Sequence, residues 1–298
     1  MSRLRKIWIQ EEMWKNNVKL RREFYNYIEN SYKYKKDFLV YAYIVGLFEG
    51  DGYFSITKKG IYLLYEVGIE LSKKDVQLIY KIKSMLGVGE VSFRTRGEVE
   101  MVLFRIRNKN HLKEFILPIF DKYPMFSNKQ YDYLRFRDCL TSNINKYADL
   151  PPYTRGTEPL NDIQSILNAP YFSSWLIGFI EAEGCFSVYK LKKDDDYLVA
   201  SFDVSFPPPQ ACGGEKDAEI LLLSIAKFLS FTTFIYCDKF NCYKFKVTSV
   251  RSIENVIKFL QSAPVKLLGN KKLQYLLWLK ELRTIDRYEN KIKIPSNY

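Results

Sequence analysis

Histidine is almost absent from this sequence, since His111 is the only one among 298 residues. Zinc hydrolase sites and general-base mechanisms built on imidazole both depend on histidine side chains. The composition therefore argues against these two kinds of enzyme.

Cysteine is sparse, and long apolar runs are missing. Five cysteines at irregular spacing favour free thiols in a reducing compartment over a disulfide framework. Cys237 and Cys242 flank a short loop, but a closed metal site needs four ligands, so both are predicted to be ordinary strand residues. No apolar run reaches the roughly 18 residues that span a bilayer, so we expect a soluble protein without a membrane partner.

Positive charge is in excess. Lys and Arg number 46 against 34 acidic residues, which gives a formal net charge of +12 and a pI near 9.2. Together with 16% aromatic residues, this balance indicates a polyanionic partner such as DNA, RNA or an anionic membrane surface.

One fourteen-residue pattern occurs twice. YIVGLFEGDGYFSI begins at Tyr43, and WLIGFIEAEGCFSV begins at Trp175. At an offset of 132 residues (183 − 51), Asp51 matches Glu183, and several flanking residues are identical. Two copies of one module are therefore expected.

Each copy is predicted to be a helix that turns directly into a strand. Apolar residues have helical spacing up to Phe48 and alternate with polar residues from Phe54 onward. We expect the intervening glycine, Gly52 or its match Gly184, to end the helix with a positive φ.

A second face of each motif helix carries only small residues at four-residue steps. These residues are Ala42, Gly46 and Gly50 in the first copy and Ser174, Gly178 and Ala182 in the second. Two backbones can approach closely along such faces, so we expect the helices to pack in parallel. Asp51 and Glu183 would then meet at one end, where two helix C-termini add negative charge. Hard divalent cations fit such a spot.

The stretches GLFEGDG and GFIEAEG resemble the name-giving motif of the LAGLIDADG homing endonucleases and maturases. The likeness runs from about Tyr41 to the C-terminus and is close to a double-motif member encoded in a fungal mitochondrial cytochrome b intron. It implies an α+β fold of the αββαββα type, in which two pseudo-symmetric repeats pack through parallel motif helices and antiparallel sheets form a DNA-binding saddle. It also implies that Asp51 and Glu183 bind Mg²⁺, helped by the carbonyls of Gly50 and Ala182. Mn²⁺ is an alternative ion, and Ca²⁺ is expected to bind without supporting catalysis.

The family also places a basic residue near each cleavage site. Lys129 in FSNKQYDYL aligns with Lys271 in LGNKKLQYLL, and the resemblance implies that each lysine orients water or stabilises charge. Glu49 and Glu181 match as well but lie further back on the helices, so we expect capping or interface roles for them.

One stretch departs from the family pattern. Relatives tend to carry a polar residue at the end of the strand beside the metal site, whereas Phe206 occupies the expected place here and Gln210 lies beyond three prolines. If Gln210 does not reach the site, one half-site is expected to cut more slowly than the other.

Basic and polar side chains alternate with apolar ones on several predicted strands. Such a sheet can lie against a nucleic acid groove with one face and pack on helices with the other. The residues predicted to contact DNA are Ser55, Thr57, Lys59, Arg94, Arg96, Arg105, Arg107, Ser187, Tyr189, Lys244, Lys246 and Thr248.

The order of predicted elements divides the chain into four units. They are a basic N-terminal extension (1–37), a first motif domain (38–142), a linker (143–170) and a second motif domain (171–298). Prolines and a glycine in PPYTRGTEP support the linker. We expect the extension to pack on the fold, although a remnant of a longer reading frame and a targeting peptide are alternatives.

The leading hypothesis is a monomeric endonuclease that recognises a long double-stranded DNA target and cuts both strands. The alternatives are a maturase that binds its own group I intron RNA and assists splicing, with or without cleavage, and a transcription factor on the same fold. Both acids favour cleavage, because RNA binding alone would not require them. The resemblance further implies an organelle gene and a location in the mitochondrial matrix.

Overall fold

The structure is a computed structural model. It describes residues 35–190, 197–206, 215–239, 241–296 and 298. The predicted N-terminal extension, up to residue 34, and Gln210 lie outside these ranges.

The first repeat runs through a helix, a hairpin, a helix, a second hairpin and further helices. Its elements are α1 (Lys35–Asp51), β1 (Gly52–Lys59), β2 (Tyr62–Ser72), α2 (Val76–Leu86), β3 (Glu90–Arg96), β4 (Val99–Ile106), α3 (Lys109–His111), α4 (Leu117–Lys122) and α5 (Lys129–Thr141). The strands form a four-stranded antiparallel sheet in the order β1-β2-β4-β3.

The second repeat follows the same plan. Its elements, after the connecting helix α6 (Ile163–Asn168), are α7 (Phe172–Glu183), β5 (Gly184–Lys190), β6 (Leu198–Phe206), α8 (Glu215–Phe228), β7 (Tyr236–Cys237), β8 (Tyr243–Val247), α9 (Val250–Ser262), α10 (Asn270–Leu282) and α11 (Asp286–Glu289). The sheet order β5-β6-β8-β7 repeats that of the first sheet. The predicted two-repeat α+β fold is confirmed.

Helices α1 and α7 pack backbone against backbone at the centre of the molecule. A Cβ atom on Gly46 would lie 1.9 Å from the carbonyl oxygen of Trp175, and one on Gly178 would lie 1.9 Å from that of Tyr43. Nearer the helix ends, a Cβ on Gly50 would lie 2.4 Å from the Cβ of Ala182. The contacts advance in the same direction along both helices, so the predicted parallel packing is confirmed.

The glycine after each motif helix has a different role from the one predicted. Gly184 has φ −75° and ψ 149°, and Gly52 is not among the described residues with positive φ. A Cβ on Gly52 would lie 2.4 Å from the ring of Phe48, and one on Gly184 would lie 2.8 Å from the carbonyl oxygen of Ile180. The expectation of a left-handed stop was wrong, because lack of space and not backbone conformation requires glycine there.

The inner faces of both sheets pack on the helices through aromatic side chains. Phe54 of β1 makes an edge contact with Phe120 at 5.0 Å between ring centroids, and Phe186 of β5 lies 5.3 Å from Trp278. This packing leaves the other face of each sheet to solvent or a partner. Within the described ranges, no helix is both long and apolar enough to span a membrane.

Candidate active site

The two motif carboxylates lie together because the two motif helices end together. Asp51 is the last residue of α1, and Glu183 is the last residue of α7. A Cβ on Gly50 would lie 3.2 Å from Glu183 Oε1, so the Glu183 carboxylate crosses the end of α1. The structure thus brings both predicted metal-binding acids to one place.

The pair carries negative charge that its surroundings disfavour. Burial, followed by the negative charge of Asp51, raises the pKa of Glu183 to about 7. Burial also raises the pKa of Asp51, although Lys129 and Lys271 oppose this rise. Two desolvated carboxylates held side by side gain most from a bound cation, so the donors fit a divalent ion.

Among the residues that the structure describes, no third acid joins this pair as a ligand of such an ion. The described ranges contain no group of three or more His, Cys, Asp or Glu side chains that could hold a metal. Backbone carbonyls, water and substrate phosphate would therefore complete the coordination, as is usual for Mg²⁺.

Each predicted lysine reaches the end of a motif helix. Lys129 is the first residue of α5, and its Nζ donates to the carbonyls of Phe48, Gly50 and Gly52 at 3.1, 3.0 and 2.8 Å. Lys271, the second residue of α10, donates from Nζ to the Gly184 carbonyl at 2.6 Å. A cation at a helix C-terminus is favoured by the helix dipole.

The contact with Lys129 bears on the predicted ligand role of Gly50. The Gly50 carbonyl already accepts from Lys129, so a metal ion would have to use its second lone pair.

Burial lowers the pKa of Lys129, and the negative charges of Glu49, Glu183 and Asp51 oppose this fall. The charged form of the buried Lys129 is thus stabilised by the three carbonyl acceptors and by the nearby acids.

Glu49 and Glu181 join the two repeats. Glu49 accepts from the Trp175 indole N–H at 2.7 Å, and Glu181 accepts from the Tyr43 hydroxyl at 3.0 Å. Each acid therefore binds a motif residue of the other repeat, and each also accepts backbone N–H groups from the loop before α5 or α10. The predicted capping or interface role is confirmed.

A family model described as "LAGLIDADG endonuclease" matches residues 44–140 and 176–282. The chain belongs to the LAGLIDADG endonuclease family. Each matched segment contains the C-terminal part of one motif helix with its acid, and one lysine of the site, so the family match covers Asp51, Glu183, Lys129 and Lys271.

Similar curated proteins carry names that refer to introns. The chain is 27% identical over 267 residues to "Probable intron-encoded endonuclease Cox1-I1b" of Schizosaccharomyces pombe, covering 84% of this chain and 66% of that protein. It is 26% identical over 238 residues to "Probable intron-encoded endonuclease aI3" of Dictyostelium citrinum, covering 78% of this chain and 90% of that protein. The chain thus spans slightly less than two thirds of the first of these relatives.

Solved structures share the fold. The meganuclease I-SmaMI bound to uncleaveable DNA matches with a TM-score of 0.64 and 22% identity, covering 81% of this chain and 90% of that chain. The LAGLIDADG homing endonuclease I-GzeII in complex with its DNA target matches with a TM-score of 0.64 and 20% identity, covering 82% and 89%. I-SmaMI was also solved on uncleaved DNA in the presence of calcium ions.

Phe206, which stands where a polar residue was expected beside the site, is the last residue of β6. Phe206 is buried and packs against Phe179 with 5.5 Å between ring centroids, so it faces the core. Ser205 pairs with Lys244 on the opposite face of β6. Neighbouring residues of a strand face opposite sides of the sheet, so Phe206 packs into the core while Ser205 lies on the face that carries Lys244.

Ten of the twelve residues predicted to contact DNA lie on the outer faces of the two sheets. Pairing across the strands puts Ser55 beside Glu66, and Lys246 beside Asp203, on the faces opposite the aromatic core. The strand residues that share these faces are Ser55, Thr57, Lys59, Arg94, Arg96, Arg105, Ser187, Tyr189, Lys244 and Lys246. Arg107 and Thr248 directly follow β4 and β8.

The sequence alone did not reveal the acidic partners of two of these arginines. Arg94 forms an ion pair with Glu70, and Arg107 forms one with Glu66, which also accepts from the Tyr53 hydroxyl at 2.6 Å. Both acids lie on the outer face of β2. Alternation along β2 would have placed them there, but the sequence does not show which basic residue each one meets.

Two further acids were also missed. Asp75 accepts from the backbone N–H of Asn270 at 2.7 Å, and Asp217 accepts from that of Asn128 at 2.7 Å. The sequence held a signal, because a Lys-Asp pair precedes or opens the helix after the first hairpin in each repeat. The contacts themselves could not be inferred from spacing.

Burial of Asp217 predicts a pH effect on stability. Burial and, to a smaller extent, the negative charge of Glu49 raise the pKa of Asp217 to about 7, against the opposing effect of the hydrogen bond from the Asn128 N–H. Because folding raises the pKa of this acid, its contribution to stability is most favourable at low pH and is lost as pH rises from about 4 to 7. We expect the Asp217→Asn variant to lose less stability than the parent over this range, by roughly 1 to 3 kcal/mol.

Urea unfolding at several pH values measures this difference. Asp138→Asn, which changes an exposed acid on α5, serves as the control and should follow the parent. Equal pH dependence of the parent and Asp217→Asn would contradict the assignment.

Proposed function

We propose that this chain is a site-specific DNA endonuclease that uses divalent cations to cut both strands of a long duplex target. The proposal is supported chiefly by the joined carboxylates of Asp51 and Glu183, each with a lysine at the end of its motif helix. The names of the relatives and the DNA-bound state of the similar structures agree with it.

Asp51 and Glu183 would hold the cations, with the carbonyls of Gly50 and Ala182 as further donors. A bound divalent cation supplies positive charge against the charge that develops on the scissile phosphate. We expect Mg²⁺ or Mn²⁺ to support cleavage and Ca²⁺ to support binding only.

Lys129 and Lys271 provide positive charge that does not depend on a bound metal ion. Their Nζ atoms lie at the carbonyls of Gly52 and Gly184, directly beside the two acids. From there each ammonium group can donate to a phosphate oxygen or orient an attacking water. The two lysines would serve the two strands of the target.

The outer faces of both sheets would bind the duplex. Arginine and lysine side chains there can contact base edges and phosphates in the major groove. Because one chain carries both repeats, we expect the protein to act as a monomer on a target whose halves differ.

The ion pairs on this surface lead to a prediction about DNA affinity. Glu70→Gln removes a negative charge and frees Arg94. We expect affinity for non-specific duplex DNA to rise several-fold and the salt dependence of log Kd to steepen by about one unit. The free energy of unfolding should change by less than about 1 kcal/mol, because exposed ion pairs contribute little.

Fluorescence anisotropy at several salt concentrations measures the affinity. Glu219→Gln, which changes an exposed acid on α8, is the matched control. A similar gain in affinity for Glu219→Gln would show that the change in net charge, and not the release of Arg94 on this surface, strengthens DNA binding.

The proposed activity is tested with intronless copies of mitochondrial genes as substrates. Incubation with Mg²⁺ should produce a double-strand break at one position, and no break should occur with EDTA. Unspecific degradation, or no cleavage of any candidate gene, would contradict the proposal.

A mitochondrial location is proposed on the same grounds, since one relative is named a mitochondrial protein. The maturase alternative, with group I intron RNA as partner, gains no support from the site, because RNA binding alone needs neither acid. A splicing assay with precursor RNA would test it separately.

A further inference from the structure

The helices that carry Lys129 and Lys271 begin with an unusual arrangement of acceptors. A helix N-terminus leaves several backbone N–H groups without partners, which a capping side chain normally satisfies from within the same segment. Asn128, before α5, makes no capping hydrogen bond with its side chain, and Gly269, before α10, has no side chain that could cap the helix. Ser127 Oγ accepts the Lys129 N–H at 3.4 Å, but the side-chain acceptors of the N–H groups of residues 126–128 and 268–270 come from distant parts of the chain.

Three consecutive N–H groups are bound in each repeat. Before α5, those of residues 126 and 127 go to Glu49 and that of Asn128 goes to Asp217. At the start of α10, those of residues 268 and 269 go to Glu181 and that of Asn270, the first residue of the helix, goes to Asp75. The two helix starts are therefore bound in matching ways.

The last acceptor of each set crosses from one repeat to the other. Asp217 lies in the first turn of the helix after the first hairpin of the second repeat but binds Asn128 of the first repeat. Asp75 precedes the corresponding helix of the first repeat but binds Asn270 of the second repeat. The offset between the two acids is 142 residues (217 − 75), which equals the offset between the two lysines (271 − 129).

The bound N–H group lies directly before the lysine in both cases. Asn128 precedes Lys129, and Asn270 precedes Lys271. The crossing acid therefore contacts the backbone of the lysine-bearing helix at its start, one residue before the lysine. The fit at Asp75 is close, because a Cβ on Gly269 would lie 2.6 Å from Asp75 Oδ1.

We propose that Asp75 and Asp217 are positioning residues that act across the repeat interface, with Asp217 placing Lys129 and Asp75 placing Lys271. This inference rests on the proposed nuclease function and adds that each lysine is held in place by the opposite repeat. Neither acid needs to touch DNA or a cation for this role.

Double-mutant cycles on single-turnover cleavage, with both DNA strands end-labelled, test the pairing. We expect Asp75→Ala to slow cleavage at saturating DNA about 10- to 100-fold, the range for residues that orient an active-site group. Combined with Lys271→Ala, Asp75→Ala should lower the cleavage rate little further. Combined with Lys129→Ala, it should lower the rate by the product of the two single effects. Asp217→Ala should show the reverse pattern.

The conservative variants separate positioning from loss of charge. Asp75→Asn and Asp217→Asn keep an oxygen that can accept the backbone N–H, so they should restore most of the rate. If an alanine variant does not fold, Asp75→Glu or Asp217→Glu replaces it, because the longer side chain shifts the helix start while keeping the charge. Independent effects of Asp75 and Lys271, or coupling of Asp75 to Lys129 instead, would overturn the proposal.

Hydrogen exchange gives a measure that does not require cleavage. Asp75→Ala should speed amide exchange in residues 268–272 and leave residues 126–130 unchanged, while Asp217→Ala should do the opposite. If the two variants show this exchange pattern but the parent cuts no DNA, only the proposed function is contradicted. If the parent cuts DNA but the variants do not show this exchange pattern, only the positioning role is contradicted.

Discussion

Replacing Asp51 with Asn, or Glu183 with Gln, is expected to abolish DNA cleavage while leaving DNA binding intact. Each change removes one of the two carboxylates that meet at the ends of α1 and α7. We expect the single-turnover rate to fall roughly 10³- to 10⁶-fold, as is common when an essential active-site group is removed. Affinity for DNA should stay the same or rise, because a negative charge near the phosphates is lost.

Cleavage and binding are measured on the same labelled duplex, the first with Mg²⁺ and the second with Ca²⁺. Asp138→Asn, which changes an exposed acid on α5, should cleave at the parental rate. Parental cleavage by either motif variant would contradict the proposed site.

The second large effect is expected on stability. In Gly46→Ala the new methyl carbon would lie 1.9 Å from the Trp175 carbonyl oxygen, and in Gly178→Ala it would lie 1.9 Å from that of Tyr43. Because both obstacles are backbone atoms, the two helices must move apart. We expect each variant to lose at least about 3 kcal/mol of unfolding free energy, above the usual cost of overpacking.

Urea unfolding measures this loss, with Gly60→Ala as the matched control. A Cβ on Gly60 meets no atom within 4 Å, and only its φ of +64° opposes the change, so a loss of about 1 kcal/mol is expected. Similar losses in Gly46→Ala and Gly60→Ala would show that the close approach of α1 and α7 does not matter for stability.

The centre of the fold could be predicted because its signals are local. Small residues at four-residue steps identify the face of a helix that permits close approach, and duplication of the pattern provides the partner helix. Once Gly46 and Gly178 are paired, the acids at positions 51 and 183 must lie at one end. The alternation of Phe54 and Ser55 similarly assigned the two faces of β1.

The errors had equally physical causes. A glycine at a helix end is compatible with a positive φ or with lack of space, and only the neighbouring Phe48 ring distinguishes these cases at Gly52. The contact of Asp75 with Asn270 joins residues that are 195 positions apart, and no local pattern encodes it.

Anomalous diffraction from crystals of the DNA complex grown with Mn²⁺ tests the central claim most directly. The account predicts anomalous peaks beside the carboxylates of Asp51 and Glu183, at the scissile phosphates, and a loss of peak height in Asp51→Asn. Mn²⁺ bound elsewhere, with the two side chains turned away from the DNA, would contradict it.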